Sequence, residues 1–152
     1  MPEFLDLHGR TTKVIRAAAD AAVRCHGLRL GQDHLLEALW EQDGRTPGEI
    51  AAATNVTTPA VTKATARMVE AGLITRLRDE RDNRLVRLWL TDAGRALRVP
   101  VEAERRLLEE TITENLTAAE RKHLMSALTK IHRSASSLLD AEPAEPDGPA
   151  AP

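Results

Sequence analysis

The sequence of 152 residues contains no tyrosine, one phenylalanine and two tryptophans. A hydrophobic core must therefore be built from Leu, Ile, Val and Ala, and abundant Ala and Leu favour helices. The length suits one domain that buries a core without covalent or metal staples. The single cysteine excludes an intrachain disulfide.

Long apolar runs are also lacking, as is a signal-peptide pattern, so we expect a cytoplasmic protein without a membrane partner. The sequence contains no Gly-rich phosphate loop, no G-x-S-x-G and no histidine-bearing metal motif. These absences indicate a protein that is not an enzyme, and no cofactor is expected.

The net charge is only −2, but its distribution is uneven. Residues 57–87 contain seven Lys or Arg against four Asp or Glu, which gives this segment +3. The remainder carries −5, of which −4 lies in residues 140–152. Because local patches govern phosphate contact, the near-neutral total does not exclude a nucleic-acid partner. The Pro-, Ala- and Glu-rich segment 140–152 is predicted to be a disordered acidic tail.

Residues 46–72 show the pattern of two short helices joined by a turn. Thr46-Pro47-Gly48-Glu49 is a capping box with proline at the first helical position. Ile50 and Ala53 are predicted to form the buried side of this first helix. Residues 55–57 form the turn, and Thr58-Pro59 is predicted to cap the second helix.

The second helix has two distinct faces. One is predicted to be buried and comprises Val61, Ala64, Thr65 and Met68. The other carries Pro59, Lys63, Ala66 and Arg67. Its first turns are small and hydroxylated, so the backbone can approach base edges in a DNA major groove. Gly72 is predicted to end the helix.

Two runs with a period of two follow, at residues 73–78 and 85–90. They predict a β-hairpin with a polar tip at residues 79–84. A cationic tip beside a groove-reading helix is well placed to enter a minor groove, whose narrow A·T segments attract arginine.

This block resembles the winged helix-turn-helix of the MarR (multiple antibiotic resistance regulator) family of bacterial transcriptional regulators. The resemblance is carried by TPGEIA, MVEAGLI, the wing pattern D-x-x-D-x-R at Asp79, Asp82 and Arg84, and LTDAGR at 90–95. It implies a mainly α fold with a small β-hairpin wing (α+β) and long terminal dimerisation helices. The implied organisation is an N-terminal helix (1–30), a DNA-binding domain (31–97), C-terminal dimerisation helices (98–139) and the acidic tail (140–152).

The resemblance also assigns residues to DNA. Pro59, Ala60, Thr62 and Lys63 occupy groove-reading positions, and Arg84 matches the wing arginine, with Asp82 as its orienting partner. Asn83 stands where a basic residue is common. The complete set of predicted DNA contacts is Thr57, Thr58, Pro59, Ala60, Thr62, Lys63, Arg67, Arg76, Arg81, Asn83 and Arg84.

The terminal segments carry apolar stripes. A first helix is predicted at Arg10–Cys25, after a short apolar group of Phe4, Leu5 and Leu7. Pro100 predicts an interruption in the helix that Thr91 caps. Thr117 begins a further capping box. The predicted dimerisation residues are Phe4, Leu5, Leu7, Leu116, Leu124, Leu128, Ile131 and Leu138.

Other residues have two interpretations each. Trp40 either fills the core or stacks on an aromatic effector whose carboxylate meets Arg24 or His34. Cys25, His26 and His34 are candidate zinc ligands, but no two histidines show the helical spacing of three or four, so no metal site is predicted. Cys25 ends an apolar stripe and is predicted to be a packing residue, because the family's peroxide-sensing cysteines have tyrosine partners and this chain has no tyrosine.

The sequence therefore predicts a homodimeric repressor that binds a pseudo-palindromic double-stranded DNA operator and is released by a small-molecule effector. The alternative is a winged-helix protein-interaction module that does not read DNA. The arginines clustered in the wing favour the first interpretation, and they are Arg76, Arg78, Arg81, Arg84 and Arg87.

Overall fold

The structure, a computed structural model, describes residues 3–140. It contains the following elements in chain order: α1 (Glu3–Arg24), α2 (Gln32–Glu41), α3 (Pro47–Thr54), α4 (Thr58–Glu70), β1 (Ile74–Arg78), β2 (Val86–Leu90), α5 (Asp92–Ala96), α6 (Arg98–Thr113) and α7 (Ala118–Asp140). The predicted fold class, mainly helical with a β-hairpin wing, is confirmed. No helix in the described range is long and apolar enough to cross a membrane.

The chain divides into two compact units, one ending at Thr111 and the other beginning at Ile112. The first unit contains the hydrophobic core, in which α2, α3, α4, the hairpin and the start of α6 bury their apolar faces. Leu36, Ile50 and Leu88 are fully buried at its centre. The second unit contains α7, in which no residue is buried. The disordered tail was predicted for residues 140–152. Apart from Asp140, the last residue of α7, this segment lies outside the described residues.

The start of α3 matches the prediction. The Thr46 Oγ1 atom accepts from the Glu49 backbone N–H at 3.2 Å, and the Glu49 carboxylate accepts from the Thr46 N–H at 2.9 Å. This reciprocal capping box satisfies two donors that the helix leaves open. Ala51, not Ala53, joins Ile50 on the buried side, and Ala53 is exposed. The prediction for Ala53 was wrong because this eight-residue helix buries only Ile50 and Ala51, near its middle.

The hairpin pairs β1 with β2 antiparallel, with Ile74 opposite Leu90 and Arg78 opposite Val86. The LTDAG sequence at residues 90–94 connects the end of β2 to the end of α4. The Thr91 hydroxyl donates to the Gly72 carbonyl at 2.6 Å and accepts from the Gly94 N–H at 3.1 Å. A Cβ on Gly94 would lie 2.1 Å from the Leu73 carbonyl oxygen, so only glycine permits this close approach.

Two helix boundaries bear on the predictions. The chain breaks at Leu97 between α5 and α6, which confirms the interruption predicted from Pro100. The proline ring would otherwise clash with the carbonyl of Ala96, four residues earlier. By contrast, α1 begins at Glu3, so Phe4 to Leu7 lie within the helix and not ahead of it. Acidic residues in this first turn favour the earlier start because they complement the helix dipole.

Candidate nucleic-acid interface

α4 is anchored by one face and leaves the other in solvent. Val61, Thr65 and Met68 are each 1% exposed, as the helical spacing predicted, whereas Ala64 is only partly buried. The cap is Thr57 and not Thr58, since the Thr57 hydroxyl accepts from the Ala60 N–H at 3.4 Å. Proline therefore occupies the second helical position, where no intrahelical donor is required.

The exposed side of α4 forms a surface that we call the recognition face. It consists of Thr57, Thr58, Pro59, Ala60, Thr62, Lys63 and Arg67, all of which are exposed. The Thr62 hydroxyl donates to the Thr58 carbonyl at 3.0 Å, which leaves its oxygen free to accept. Short side chains therefore dominate the first two turns, and the helix can approach a surface closely.

The recognition face carries two cations, Lys63 and Arg67, whose side chains have no partner in the described part of the chain. Within residues 3–140, neither the Lys63 nor the Arg67 side chain makes a hydrogen bond or salt bridge. Both border a shallow depression of about 200 Å³ together with Arg29 from the loop before α2. The sequence analysis missed Arg29, because a single loop cation has no periodicity that reveals where it points. Three cations around one depression make a surface suited to a phosphate group.

The wing turn is organised by Asp79. Its Oδ1 atom accepts from the backbone N–H groups of Arg81 and Asp82 at 2.8 and 3.1 Å, and its Oδ2 atom accepts from Arg87 Nε at 2.5 Å. The hydrogen bond from Arg87, followed by the two backbone hydrogen bonds, lowers the pKa of Asp79 from 3.8 to about 2. The carboxylate therefore stays ionised at neutral pH and holds the turn.

Arg87 is consequently a structural residue. Besides Asp79, its guanidinium donates to the Gly44 carbonyl at 2.9 Å and lies 3.6 Å from the Glu49 carboxylate. Asp79 and Glu49 raise the pKa of Arg87, and the hydrogen bond to Asp79 contributes most. The sequence analysis counted Arg87 among the clustered wing arginines that indicate DNA binding. That interpretation was incomplete, since Arg87 points back to the α2–α3 loop.

Arg84 has the opposite arrangement. Its side chain is 91% exposed, and its Nε and one terminal nitrogen donate to the two oxygens of Asp82 at 3.2 and 3.4 Å. Asp82 also accepts from the Arg84 backbone N–H at 3.1 Å. The carboxylate therefore holds the arginine while leaving other guanidinium donors directed to solvent. Asp82 occupies the orienting position that the sequence analysis gave it.

The remaining wing candidates are exposed. Arg76 lies opposite Leu88 in the register, and Arg81 and Asn83 lie in the tip. Their side chains have no hydrogen-bonding partner within the described chain. The geometry thus separates one inward-facing arginine from several that remain available to a ligand.

The candidate effector residues are not gathered in one depression. Trp40 is half-buried, and its Nε1 donates to the Gly94 carbonyl at 3.0 Å. The depression of about 300 Å³ beside it includes Arg95 and Arg98, but neither Arg24 nor His34. His34 lies six positions before Trp40 on α2, which places the two on different sides of the helix. Arg24 pairs with Asp20 within α1.

The predicted dimerisation residues are all exposed. Phe4, Leu5 and Leu7 are 49%, 65% and 63% exposed on α1. In the second unit the exposed members are Leu116, Leu124, Leu128, Ile131 and Leu138. Their exposure leaves the predicted assembly untested.

Cys25 differs from its predicted role. It is exposed, and its thiol donates to the Ala22 carbonyl at 3.2 Å. The prediction of a packing residue was wrong because α1 ends at Arg24, before Cys25, and the residue that this end of the helix buries is Val23.

Three comparisons describe what the chain is similar to. Residues 28–86 match the model of the MarR family. The chain is 28% identical over 122 residues to the HTH-type transcriptional repressor Rv2887 of Mycobacterium tuberculosis, covering 80% of this chain and 88% of the relative. It aligns with the MarR family transcription regulator SP03579 at a TM-score of 0.81 and 22% identity, over 91% of this chain and 92% of that one. The Staphylococcus aureus MepR–DNA complex aligns at a TM-score of 0.78 and 27% identity, over 87% and 97%.

The fold and the exposed helix beside a hairpin define a winged helix-turn-helix protein. Residues 28–86 match the MarR family model, so the resemblance recognised in the sequence of this region is confirmed.

Proposed function

We propose that this protein is a sequence-specific double-stranded DNA-binding transcriptional regulator, acting as a homodimeric repressor. One observation carries the proposal. The recognition face presents short side chains and two unpartnered cations, Lys63 and Arg67, next to a wing whose Arg84 is 91% exposed. A helix of this kind suits a major groove, and an exposed arginine on a hairpin suits the adjacent minor groove.

The relatives also support a DNA-binding repressor. The Mycobacterium tuberculosis relative is named a transcriptional repressor, and the Staphylococcus aureus neighbour was solved with DNA. In a symmetric dimer, two recognition faces would meet major grooves about one turn apart, roughly 34–36 Å, on a pseudo-palindromic operator. Segments 1–30 and 98–139 would supply the dimer contacts, and segment 31–97 would bind DNA.

The first experiment selects bound duplexes from a random pool with the purified protein, and then measures the affinity of the selected sequence at several salt concentrations. Phosphate contact requires a steep fall in affinity with salt because bound counterions are released. A protein-interaction module would select no sequence and show no such slope. That result would overturn the proposal.

The second experiment is a substitution in the recognition face. If Lys63 reads a base, Lys63→Ala should weaken binding to the selected duplex by about 1–3 kcal/mol and binding to random duplex much less. Lys122→Ala, which removes an exposed cation from α7, is the matched control and should change neither. An equal loss on both duplexes would assign Lys63 to a phosphate.

We further propose that an aromatic small molecule relieves the repression from the depression beside Trp40. The half-buried indole offers a stacking surface, and Arg95 and Arg98 replace Arg24 and His34 as the nearest cations for a carboxylate. Titration with benzoate should quench tryptophan fluorescence in Trp89→Phe but not in Trp40→Phe. Equal quenching in both variants would place the effector elsewhere.

A further inference from the structure

Three side chains with different metal-ligating atoms meet in the first unit. They are Cys25 and His26, which follow the end of α1, and Glu104 on α6. The Sγ atom, a ring nitrogen and a carboxylate oxygen all lie within 4.8 Å of one another. None of the three belongs to the recognition face or to the wing.

Local structure fixes this meeting. The His26 N–H donates to the Val23 carbonyl at 3.0 Å, so the backbone turns on beyond the last residue of α1. Val23 is 1% exposed and Val101 is fully buried, so both elements are anchored in the same core. Glu104 follows Val101 by three positions and therefore lies on the same side of α6. The cluster is thus a product of core packing and not of mobile side chains alone.

The His26 ring nitrogen points to a ligand. Its Nε2 atom is buried and has no hydrogen-bond partner among residues 3–140, and the Glu104 Oε1 atom lies 3.7 Å away, beyond hydrogen-bonding distance. A buried polar atom without a partner is costly, and most such atoms in proteins are satisfied. A cation between His26 and Glu104 would satisfy both groups.

The separations fit a small divalent ion. Zinc bonds of about 2.0–2.3 Å in a tetrahedron place ligand atoms roughly 3.5 Å apart. The His26–Glu104 separation of 3.7 Å is close to this value. The thiol must approach by no more than about 1 Å, which rotation of an exposed cysteine side chain permits. A thiolate and a carboxylate together carry −2, which offsets the charge of the ion.

We propose that Cys25, His26 and Glu104 form a binding site for a divalent transition-metal ion of the zinc class. On binding, the Cys25 thiol loses its proton to solvent and its hydrogen bond to the Ala22 carbonyl, and Sγ bonds to the metal. The exposed side of Cys25 provides the entry path, and water completes the fourth position. The ion would cross-link the end of α1 to α6.

In the sequence, helical spacing argues against Cys25 and His26 as zinc ligands. That criterion applies to ligands from one helix. Here the third ligand is 78 positions further along the chain than His26, on a different element. Only the packing of α6 against the end of α1 brings it into reach.

The test uses the tag-free, full-length, reduced protein. Zn²⁺ affinity is measured by competition with a chromogenic chelator, and Co²⁺ is added separately to detect a thiolate charge-transfer band. We expect one ion per chain, a charge-transfer band, and a rise in melting temperature with Zn²⁺ because the ion binds the native state. Cys25→Ser should abolish the band. Both Cys25→Ser and Glu104→Gln should weaken Zn²⁺ binding at least tenfold.

The matched control is His34→Ala, which removes a histidine lying 3.5 Å from a carboxylate but with no cysteine in the group. It should leave Zn²⁺ affinity and the Co²⁺ band unchanged. Failure of the wild type to compete with the chelator would overturn the site. Unchanged Zn²⁺ affinity in Glu104→Gln would also overturn it, because the ion would then bind without the carboxylate.

Discussion

The exposed stripe on α7 leads to the most demanding prediction. The stripe, which we call the α7 seam, consists of Leu124, Leu128, Ile131 and Leu138. If the seam packs against a second copy of the chain, Leu128→Asp/Ile131→Asp should produce monomers. It should also abolish operator binding, since both half-sites must be occupied for full affinity.

The magnitude follows from the exposed fractions. Leu124, Leu128 and Ile131 keep 42%, 40% and 38% of their surface in solvent. Complete burial of such a side chain is worth about 1.5–3 kcal/mol, so removing the remaining exposure is worth about 0.6–1.2 kcal/mol each. In a symmetric pair the three residues contribute roughly 4–7 kcal/mol in total. Association itself costs about 4–15 kcal/mol in lost freedom of motion. Losing most of the apolar contribution of the seam is therefore sufficient to dissociate the dimer.

The assay is sedimentation equilibrium combined with binding to the selected duplex. The control variant, Ser126→Asp/Ser137→Asp, adds the same number of charges to exposed positions on the side of α7 away from the seam. It should remain dimeric and bind DNA like the wild type. Circular dichroism should show that both variants keep their helices.

Two results would refute the reasoning. A Leu128→Asp/Ile131→Asp protein that sediments as a dimer and still binds the duplex would exclude the seam from the interface. A monomeric wild type would exclude the dimer altogether. If the double variant stayed dimeric but lost DNA binding, Phe4, Leu5 and Leu7 on α1 would become the next interface to test.

Three further predictions concern the winged region. Arg84→Ala should weaken binding most for duplexes with A·T pairs flanking the half-sites, as measured by anisotropy, and equal losses with G·C flanks would remove the wing from the readout. Because the folded pKa of Asp79 is about 2 against an ordinary value of 3.8, its carboxylate stabilises the fold above pH 3.8, and this stability is lost as the pH falls to about 2. Urea unfolding at several pH values should show that Asp79→Asn lacks this part of the pH dependence, and an unchanged profile would contradict the assignment. Gly44→Ala should lower the free energy of unfolding by about 1–3 kcal/mol more than Gly72→Ala, because both glycines have positive φ but only a Cβ on Gly44 would meet the Trp89 ring, at 2.5 Å. Equal losses would mean that the ring simply moves away.

Local features of the fold could be predicted because their causes lie within a few residues of sequence. The capping boxes at Thr46 and Thr117 each need a hydroxyl and a glutamate three positions apart, and both are formed. Gly72 follows the end of α4 with φ +73, and the helix breaks at Leu97, three residues before Pro100. Errors at this level were small, such as the cap at Thr57 in place of Thr58.

Features that depend on distant segments could not be predicted. Whether a wing arginine faces outward or inward depends on its partners, and Arg87 turns inward because Gly44 and Glu49 lie beside β2 in the folded chain. Periodicity places Arg87 and Trp89 on one face of the strand but does not say what covers that face. The Cys25–His26–Glu104 cluster depends in the same way on the packing of two elements.

The division between Arg87 and Arg84 explains how a chain of net charge −2 can present a basic wing. Each arginine is paired with an aspartate of the wing, so the pairs add no net charge. Asp79 is largely shielded, with 14% of its side chain exposed, and it uses both oxygens within the protein. Asp82 leaves Arg84 exposed and takes only two of its five side-chain donors. The field of the wing is then set by the cations that have no carboxylate partner within residues 3–140, namely Arg76, Arg78 and Arg81, while Arg84 contributes directed hydrogen bonds. In a narrow groove, an arginine already held in position loses less side-chain entropy on binding than a free one. The Asp82–Arg84 pair therefore serves positioning more than charge, and Asp82→Asn should weaken DNA binding although it makes the wing more positive.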